Sequence, residues 1–472
     1  IVHIAPTFGA DDMRVAQKYG IPPLMVEDED GNPMPLVDKQ GRFVDQVTDF
    51  AGRYVKDYGQ EEERPVDADI VIKLKEENKL FVSEKYTHNY PHCWRTDRPV
   101  LYYPLDSWFI KTTSVRERMM ELNNTINWKP AATGSGRFGN WLENLVDWNL
   151  SRSRYWGIPL PIWRSEDGSE EICIGSVEDL TSEIQKAVEA GVMDKAKAEG
   201  YLANLDLHKP DVDDIVLVGK SGQPLRREPD LIDVWFDSGA MPFAQWHYPF
   251  ENQEVFKQNF PADFIAEGVD QTRGWFFTLH AIAVMLEDSV AFKNVIANGL
   301  VLDKDGNKMS KRLGNAVDPF MMINEYGVDP VRWYMIHNSD PWDNLKFDPD
   351  GVKEVRNRFF GTLYNTYSFF ATYANIDGFE YGEKIPVGER RELDQWIIST
   401  LNSLVKTVEQ SLEDYDPTPA VRAIDYFVTE QLSNWYVRLS RRVFWKGDMN
   451  AEKQAAYQTL FECLETVMAL LM

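Results

Sequence analysis

Lys308-Met309-Ser310-Lys311 places two ammonium groups in a glycine-flanked loop, within the run Leu302-Asp-Lys-Asp-Gly-Asn-Lys-Met-Ser-Lys-Arg-Leu-Gly314-Asn315. The loop follows the strand-like Leu300-Val301-Leu302. Paired ammonium groups at the carboxyl edge of a sheet can reach triphosphate oxygens and neutralise the charge that builds up as pyrophosphate leaves. The plainer alternative is a solvated surface loop. A second group, Glu267-Gly268-Val-Asp270-Gln271-Thr-Arg-Gly274, follows the strand-like Phe264-Ile265-Ala266. Two carboxylates and an amide at the end of a parallel strand stand where an α/β sheet makes its ligand contacts, and glycine lets the backbone approach closely. A helix N-cap built from Asp270 is compatible with the same residues. Asp233-Val-Trp235-Phe-Asp237-Ser-Gly239 closes another strand-like run and by itself reads as a strand-to-turn junction with Trp235 in the core.

Four further constellations stay ambiguous on their own. His3-Ile-Ala-Pro6 with Gly9, Asp11 and Asp12 fits a small hydrolytic or amine-binding corner. It fits equally a structural histidine before a helix capped by Asp11 or Asp12 and ended by Gly20. His92-Cys93-Trp-Arg-Thr96 is half of a metal knuckle whose second thiolate position is threonine; with Cys173 and Cys463 isolated, no structural zinc is expected. Gly134-Ser-Gly136-Arg-Phe-Gly139 matches G-x-G-x-x-G, but Asn127-Trp-Lys-Pro130 is a poor strand, so the expectation is a turn leading into a helix from Trp141 to Trp148. Arg438, Arg441, Arg442 and Lys446, with no acid between Val437 and Lys446, form one basic helix face, either an RNA phosphate contact or solvated surface.

The elements that must position these residues divide the chain. Residues 1–80 mix β-like runs such as Ile70-Val71-Ile72 with Gly and Pro punctuation. Residues 81–164 are crowded with aromatics, the density of a core and a cleft wall. Residues 165–228 are polar, with a helical piece near 178–204 and a strand at 215–218, and look like an insertion. Residues 229–338 alternate strands with a helix from Gly274 to Leu286, the pattern of a parallel α/β sheet. Residues 339–472 change to helical period: Leu393, Trp396, Ile397, Leu401, Leu404, Val405, Val408 and Leu412, then Val421, Ile424, Phe427, Val428 and Trp435, predict an antiparallel helical bundle.

Composition agrees with a folded, multidomain α/β protein. The chain has 472 residues, 43% of them hydrophobic, and 50 basic against 75 acidic side chains leave a net charge of −25. That balance excludes a nonspecific nucleic-acid coat while permitting local basic patches. Three scattered cysteines point to a reducing compartment, with cytosol the default, and no apolar run approaches the length of a membrane span. Ile1 at the start and an apolar periodic stretch at the end suggest a piece of a longer protein.

Taken in order, the motifs resemble the isoleucyl-tRNA synthetases, a family of class I aminoacyl-tRNA synthetases. The resemblance runs from His3-Ile-Ala-Pro6 and Asp12 through Tyr90-Pro-His-Cys-Trp-Arg, Ser107-Trp-Phe-Ile110 and Ser151 to Trp163, then Asp233 to Gly239, Glu267 to Phe276 and Lys308 to Arg312. It implies part of a Rossmann-like catalytic core, with a partial α+β, β-rich editing domain at 1–80 and a truncated all-α anticodon-binding bundle at 339–472. It also implies an ATP- and magnesium-dependent ligase that joins isoleucine to tRNA(Ile) through isoleucyl-adenylate, acting as a cytoplasmic monomer. By similarity Glu267, Gly268, Asp270 and Gln271 hold the adenylate, Trp235 and Trp275 wall the pocket, and Lys308, Met309, Ser310 and Lys311 form the ATP loop, its lysines stabilising the triphosphate. Asp12, with His3 beside it, anchors the amino group of misacylated valine for hydrolytic editing, and Arg438, Arg441, Arg442 and Lys446 touch tRNA.

The family's His-Ile-Gly-His-type motif has no counterpart among the seven histidines, so the first half of the nucleotide fold is expected to lie outside this sequence and the piece alone to be inactive. Arg312 replaces a common serine, a change expected to be tolerated because both lysines remain. A valine or leucine ligase is the alternative within the class, and a noncatalytic tRNA-binding scaffold the alternative outside it.

Overall fold

Phe292–Asn298 buries Val295, Ile296 and Ala297 in succession, as a strand covered on both faces does. In the computed structural model, which describes residues 4–28, 31, 33–56, 64–93, 96–310 and 314–472, it is the middle strand of a three-stranded sheet. Ala262–Gly268 and Asn127–Lys129 flank it, both parallel to it. The helix Trp275–Glu287 makes the crossover between Ala262–Gly268 and Phe292–Asn298, and every residue from Phe276 to Val284 is buried. A helix apolar on all sides belongs in a core, and here Trp128, Phe138 and Phe292 pack with it.

Two expectations around Gly134 change. Asn127–Lys129 is a strand: it needs only three residues because it is an edge, Trp128 is buried, and Pro130, which lacks an N–H, comes after its last pairing. The following helix runs through a wide π-helical turn at Thr133–Phe138 and ends at Glu143, while Trp148 lies in the strand Trp148–Asn149. Asp147 accepts from the Thr113 amide and hydroxyl, and the Trp148 indole donates to Asp233, so the chain leaves helical geometry there. Gly134 serves packing: a Cβ would stand 2.2 Å from the Trp128 ring.

Residues 162–227 have their own core. An antiparallel sheet in the order Glu171–Cys173, Ile162–Ser165, Pro224–Arg227, Val216–Val218 covers Trp163, Leu180, Ile184 and Leu217. The helical stretch is two helices, Val177–Glu189, capped by Ser176, and Lys195–Ala203, capped by Asp194. Gly191, with φ of 71°, separates them.

The helical bundle comprises Gly361–Asp377, Glu392–Glu413, Pro417–Tyr426 continuing through Phe427–Val437 into Arg438–Trp445, and Ala451–Leu471. Ile397, Leu401, Leu404 and Val408 meet Ile424, Phe427, Val428 and Leu460 in one core, as the spacing predicts, but Trp396, Leu412 and Trp435 are exposed. Lys129 pairs with Asp414 at 2.8 Å and Phe264 stacks on Tyr415 at 5.0 Å, tying the bundle to the sheet.

The chain divides into two units, Ile1–Trp108 and Phe109–Met472. In the first, Met25–Glu27 pairs with Pro33–Pro35, and two helices, Ala10–Tyr19 and Val66–Glu76, are formed. The second helix corrects the strand expected at Ile70-Val71-Ile72. Asp67 and Asp69 in its first turn and Lys73 and Lys75 in its last complement the helix dipole, and Lys73 pairs with Glu77 one turn on, which outweighs the β-branched run. Gly9, not Asp11 or Asp12, is the N-cap of the first helix. Among the described residues no helix is long and apolar enough to cross a membrane.

His280, fully buried in the crossover helix, donates from Nε2 to the Met119 carbonyl at 2.9 Å. Burial pushes its pKa down to about 4, only partly opposed by that hydrogen bond. The unfolded chain therefore binds the extra proton first, so this contribution is complete above the ordinary histidine range and is lost as pH falls from there toward 4. Urea unfolding should show about 2 kcal/mol of His280-dependent stability lost between pH 7 and 5, as the difference between this chain and its His280→Gln variant.

Candidate functional site

The site is built at the carboxyl end of the parallel sheet. Glu267 and Gly268 are the last residues of their strand, paired with Ala297 and Asn298 of the middle strand. The chain then turns through Val269–Arg273 into the crossover helix. Arg137 donates to the Thr272 hydroxyl at 2.9 Å, and that hydroxyl donates to the Val269 carbonyl at 2.8 Å, holding the turn. A Cβ on Gly268 would meet the Asp270 carboxylate at 2.5 Å, so only glycine lets that side chain fold back over the strand end.

Gln271, rather than Asp270, caps the crossover helix. Its Oε1 accepts from the Trp275 amide at 3.0 Å, and its Nε2 donates to Asp270 at 3.1 Å. The carboxylate and amide are thereby presented at a helix N-terminus, where amide dipoles favour an anion. The Trp275 indole donates to the Ser238 carbonyl at 2.9 Å, fixing its ring to the short helix Val234–Gly239. Trp235 on that helix is 41% exposed, which corrects its assignment to the core. Its ring lies 3.4 Å from where a Cβ of Gly274 would stand, so both tryptophans border the turn that carries Gln271.

The short helix is anchored from beneath. Buried Asp233 accepts from the Trp148 indole at 3.0 Å, pairs with Arg152 at 2.9 Å and caps the helix at the Trp235 amide. Asp237, one turn on, has a buried Oδ1 with no hydrogen-bond partner among the described residues. Burial, and next the Asp233 carboxylate, push its carboxyl above the ordinary range. Sequence reading assigned no role to Asp233 or Asp237; the visible signal was two acids four apart flanking a tryptophan.

The lysine loop grows from the next strand along the chain, Val301–Leu302, which pairs in parallel with Leu345–Lys346 in a separate two-stranded sheet. Lys308 is exposed and forms no ion pair among the described residues, whereas Met309 packs on the cluster of Met322, Tyr334 and Phe347. Asp303 and Asn315 brace this loop, and neither was singled out from the sequence. Asn315, and next the Asn307 amide, hold the Asp303 carboxyl below its ordinary range. Lys311 and His3 lie outside the described residues.

The remaining candidates belong to other stretches of the chain. Asp12 accepts from the Ala5 amide at 2.8 Å in the N-terminal unit. Arg438, Arg441, Arg442 and Lys446 are all exposed on or just after the helix Arg438–Trp445, without acidic partners among the described residues. Trp435 and Trp445 are exposed among them. Among the described residues no group of three or more His, Cys, Asp or Glu side chains is placed to hold a metal.

Comparison with known proteins gives this geometry its setting. The chain is 67% identical to an isoleucine–tRNA ligase of Cytophaga hutchinsonii over 99% of its own length and 43% of the relative's. It is 62% identical to that of Porphyromonas gingivalis over 100% and 44%. It thus spans less than half the length of these curated relatives. Methionyl-tRNA synthetase of Mycobacterium tuberculosis, solved with methionyl-adenylate, shares the fold at 17% identity with a TM-score of 0.56, covering 80% of this chain and 62% of that one. Residues 394–472 match the anticodon-binding domain of tRNA ligases. Residues 26–348 match the class I tRNA synthetases specific for isoleucine, leucine, methionine and valine, and with that match spanning more than half its length the chain belongs to this family.

Proposed function

We propose that this chain is part of an enzyme that ligates isoleucine to tRNA(Ile). An isoleucine carboxylate oxygen attacks the α-phosphorus of ATP, which carries magnesium. The bond to the β-phosphate oxygen breaks, and pyrophosphate leaves with its charge met by Lys308 and Lys311. A hydroxyl of the terminal ribose of tRNA then attacks the acyl carbon, the acyl–phosphate bond breaks and AMP leaves. The observation that carries this reading is that Glu267, Gly268, Asp270, Gln271, Trp235 and Trp275 gather at one strand end, while the lysine loop grows from the next strand along the chain. Polar groups there suit the adenylate, and the indoles suit an apolar side chain.

One methylene separates isoleucine from valine by only about 1–3 kcal/mol, the known magnitude of this selection in this very enzyme family, so a second, hydrolytic site is needed. Asp12 and His3 are its proposed residues in this chain. The same reading implies domains at 1–80, 81–164, 165–228, 229–338 and 339–472, a cytoplasmic monomer, and no structural zinc.

The test is isoleucine-dependent ATP–pyrophosphate exchange, run on this chain and on a protein of the relatives' full length that carries it, with valine as control. Exchange in the longer protein with isoleucine preferred, and none in this chain alone, is expected. No exchange in the longer protein overturns the reading.

The basic face supports a tRNA contact, because guanidinium groups without acidic partners among the described residues, interleaved with exposed indoles, suit phosphates and stacked bases. Arg438→Ala with Arg442→Ala should weaken tRNA binding by about tenfold or more at low salt and flatten the dependence of log K on log salt by about two. Titrations across a salt series measure both. An unchanged slope would return the face to plain solvated surface.

A further inference from the structure

Asn315 makes three hydrogen bonds that no local turn requires. Its Nδ2 donates to Asp303 Oδ2 at 2.9 Å and to the Lys308 carbonyl at 3.2 Å, and its Oδ1 accepts from the Ser310 amide at 2.9 Å. Asp303 uses its other oxygen to accept from the Asp305 and Asn307 amides at 3.0 and 2.7 Å, closing the turn before the lysine. The carbonyl before Met309 and the amide after it are thereby pinned to one side chain, itself held from the strand end. Met309 is the apolar plug of the same segment, packed on the cluster below.

We propose that Asp303 and Asn315 form a clasp that positions Lys308 for the activation step. Both are positioning residues: they act through the backbone that carries the ammonium group. The inference deepens the function proposed above and rests on it. A long, exposed lysine on an unpinned loop samples many placements, and misplacement of about 1 Å can cost up to a hundredfold in rate. Turn formation alone accounts for the Asp303 bonds to Asp305 and Asn307, whereas the bonds from Asn315, twelve residues from Asp303, serve only to hold Lys308 and Ser310.

Two readouts test it in the full-length protein that carries this chain. Asn315→Ala should speed tryptic cleavage after Lys308 about tenfold, because releasing the loop raises its open population. It should also lower kcat of pyrophosphate exchange about tenfold with the isoleucine KM unmoved, a split that general loss of structure would not produce. The exchanged pair Asp303→Asn with Asn315→Asp restores the bond between the two side chains and the acceptor for Ser310, and should recover part of both effects. If Asn315→Ala fails to fold, the exchanged pair against Asn315→Asp alone carries the test. Unchanged cleavage, or faster cleavage with unchanged kcat, overturns the clasp. Absence of isoleucine-dependent exchange in the unsubstituted protein identifies failure of the underlying function instead, while cleavage still reports whether the clasp holds the loop.

Discussion

Lys308→Ala in the full-length protein is expected to lower kcat of isoleucine-dependent pyrophosphate exchange by about a hundredfold or more, with the isoleucine KM little changed. Lys308 is exposed and free of acidic partners among the described residues, so none of them neutralises its ammonium charge. In the proposed mechanism that charge acts where negative charge develops on the departing pyrophosphate. Removing a group that acts mainly in the transition state lowers kcat rather than substrate binding. Lys308→Arg keeps the charge but alters its reach and should retain part of the rate. Single-turnover formation of the adenylate distinguishes a defect in this step from one in transfer to tRNA. If kcat is unmoved and only tRNA affinity falls, the noncatalytic scaffold becomes the better account of the family fold in this chain.

The largest stability effect is expected in the bundle. Arg390, with its side chain fully buried, pairs with Glu462 at 2.8 Å and donates to the Thr459 hydroxyl at 2.9 Å and the Ile385 carbonyl at 3.0 Å. Glu462 also accepts from the Tyr381 hydroxyl at 2.8 Å and pairs with Lys384 at 3.3 Å. Burial works to raise the Glu462 carboxyl, but the Arg390 and Tyr381 hydrogen bonds outweigh it and hold it below the ordinary range. Arg390→Met should cost about 3–5 kcal/mol in urea unfolding, because it strands a partly buried carboxylate. Adding Glu462→Gln should restore a large part, since the stranded charge is then gone. The native carboxyl is more acidic than the unfolded one, so the pair's stability is complete above the ordinary glutamate pKa and is lost as pH falls through the depressed value. In Arg390→Met burial dominates, and that pH dependence should shrink or reverse. A cost below about 1 kcal/mol would mean that Lys384 and Tyr381 alone satisfy Glu462.

How much was legible follows from the range over which each interaction acts. Side-chain pattern along the chain marked a helix from Gly274 to Leu286, strands at Phe264-Ile265-Ala266 and Val295-Ile296 and a helix face from Leu393 to Leu412, which the structure places at Trp275–Glu287, Ala262–Gly268, Phe292–Asn298 and Glu392–Glu413. The two helices and Phe292–Asn298 bury enough of their own apolar residues to announce themselves, whereas Ala262–Gly268 has no fully buried residue and was legible from its β-like run alone. Residue type and spacing were likewise enough to single out Lys308 with its loop, and the Glu267 to Gln271 group at a strand end.

Where local preference was weak, partners remote in sequence decided. Asn127–Lys129 is a strand because Asn294, Val295 and Ile296 offer it a ladder, and Trp128 then requires glycine at 134. Trp235 left the core because Asp233 beneath its helix is gripped by Trp148 and Arg152, which orients the turn above. Gln271 displaced Asp270 as the helix cap once Gly268 allowed the carboxylate to fold back. Asp303 and Asn315, twelve residues apart, carried no reading of their own from the sequence; folding sets them 2.9 Å apart. By itself the sequence determined the elements and the chemical groups they carry, because periodicity and residue type are local properties. Only the tertiary structure decided which groups are braced, exposed or paired, because those depend on hydrogen bonds and packing between residues far apart along the chain.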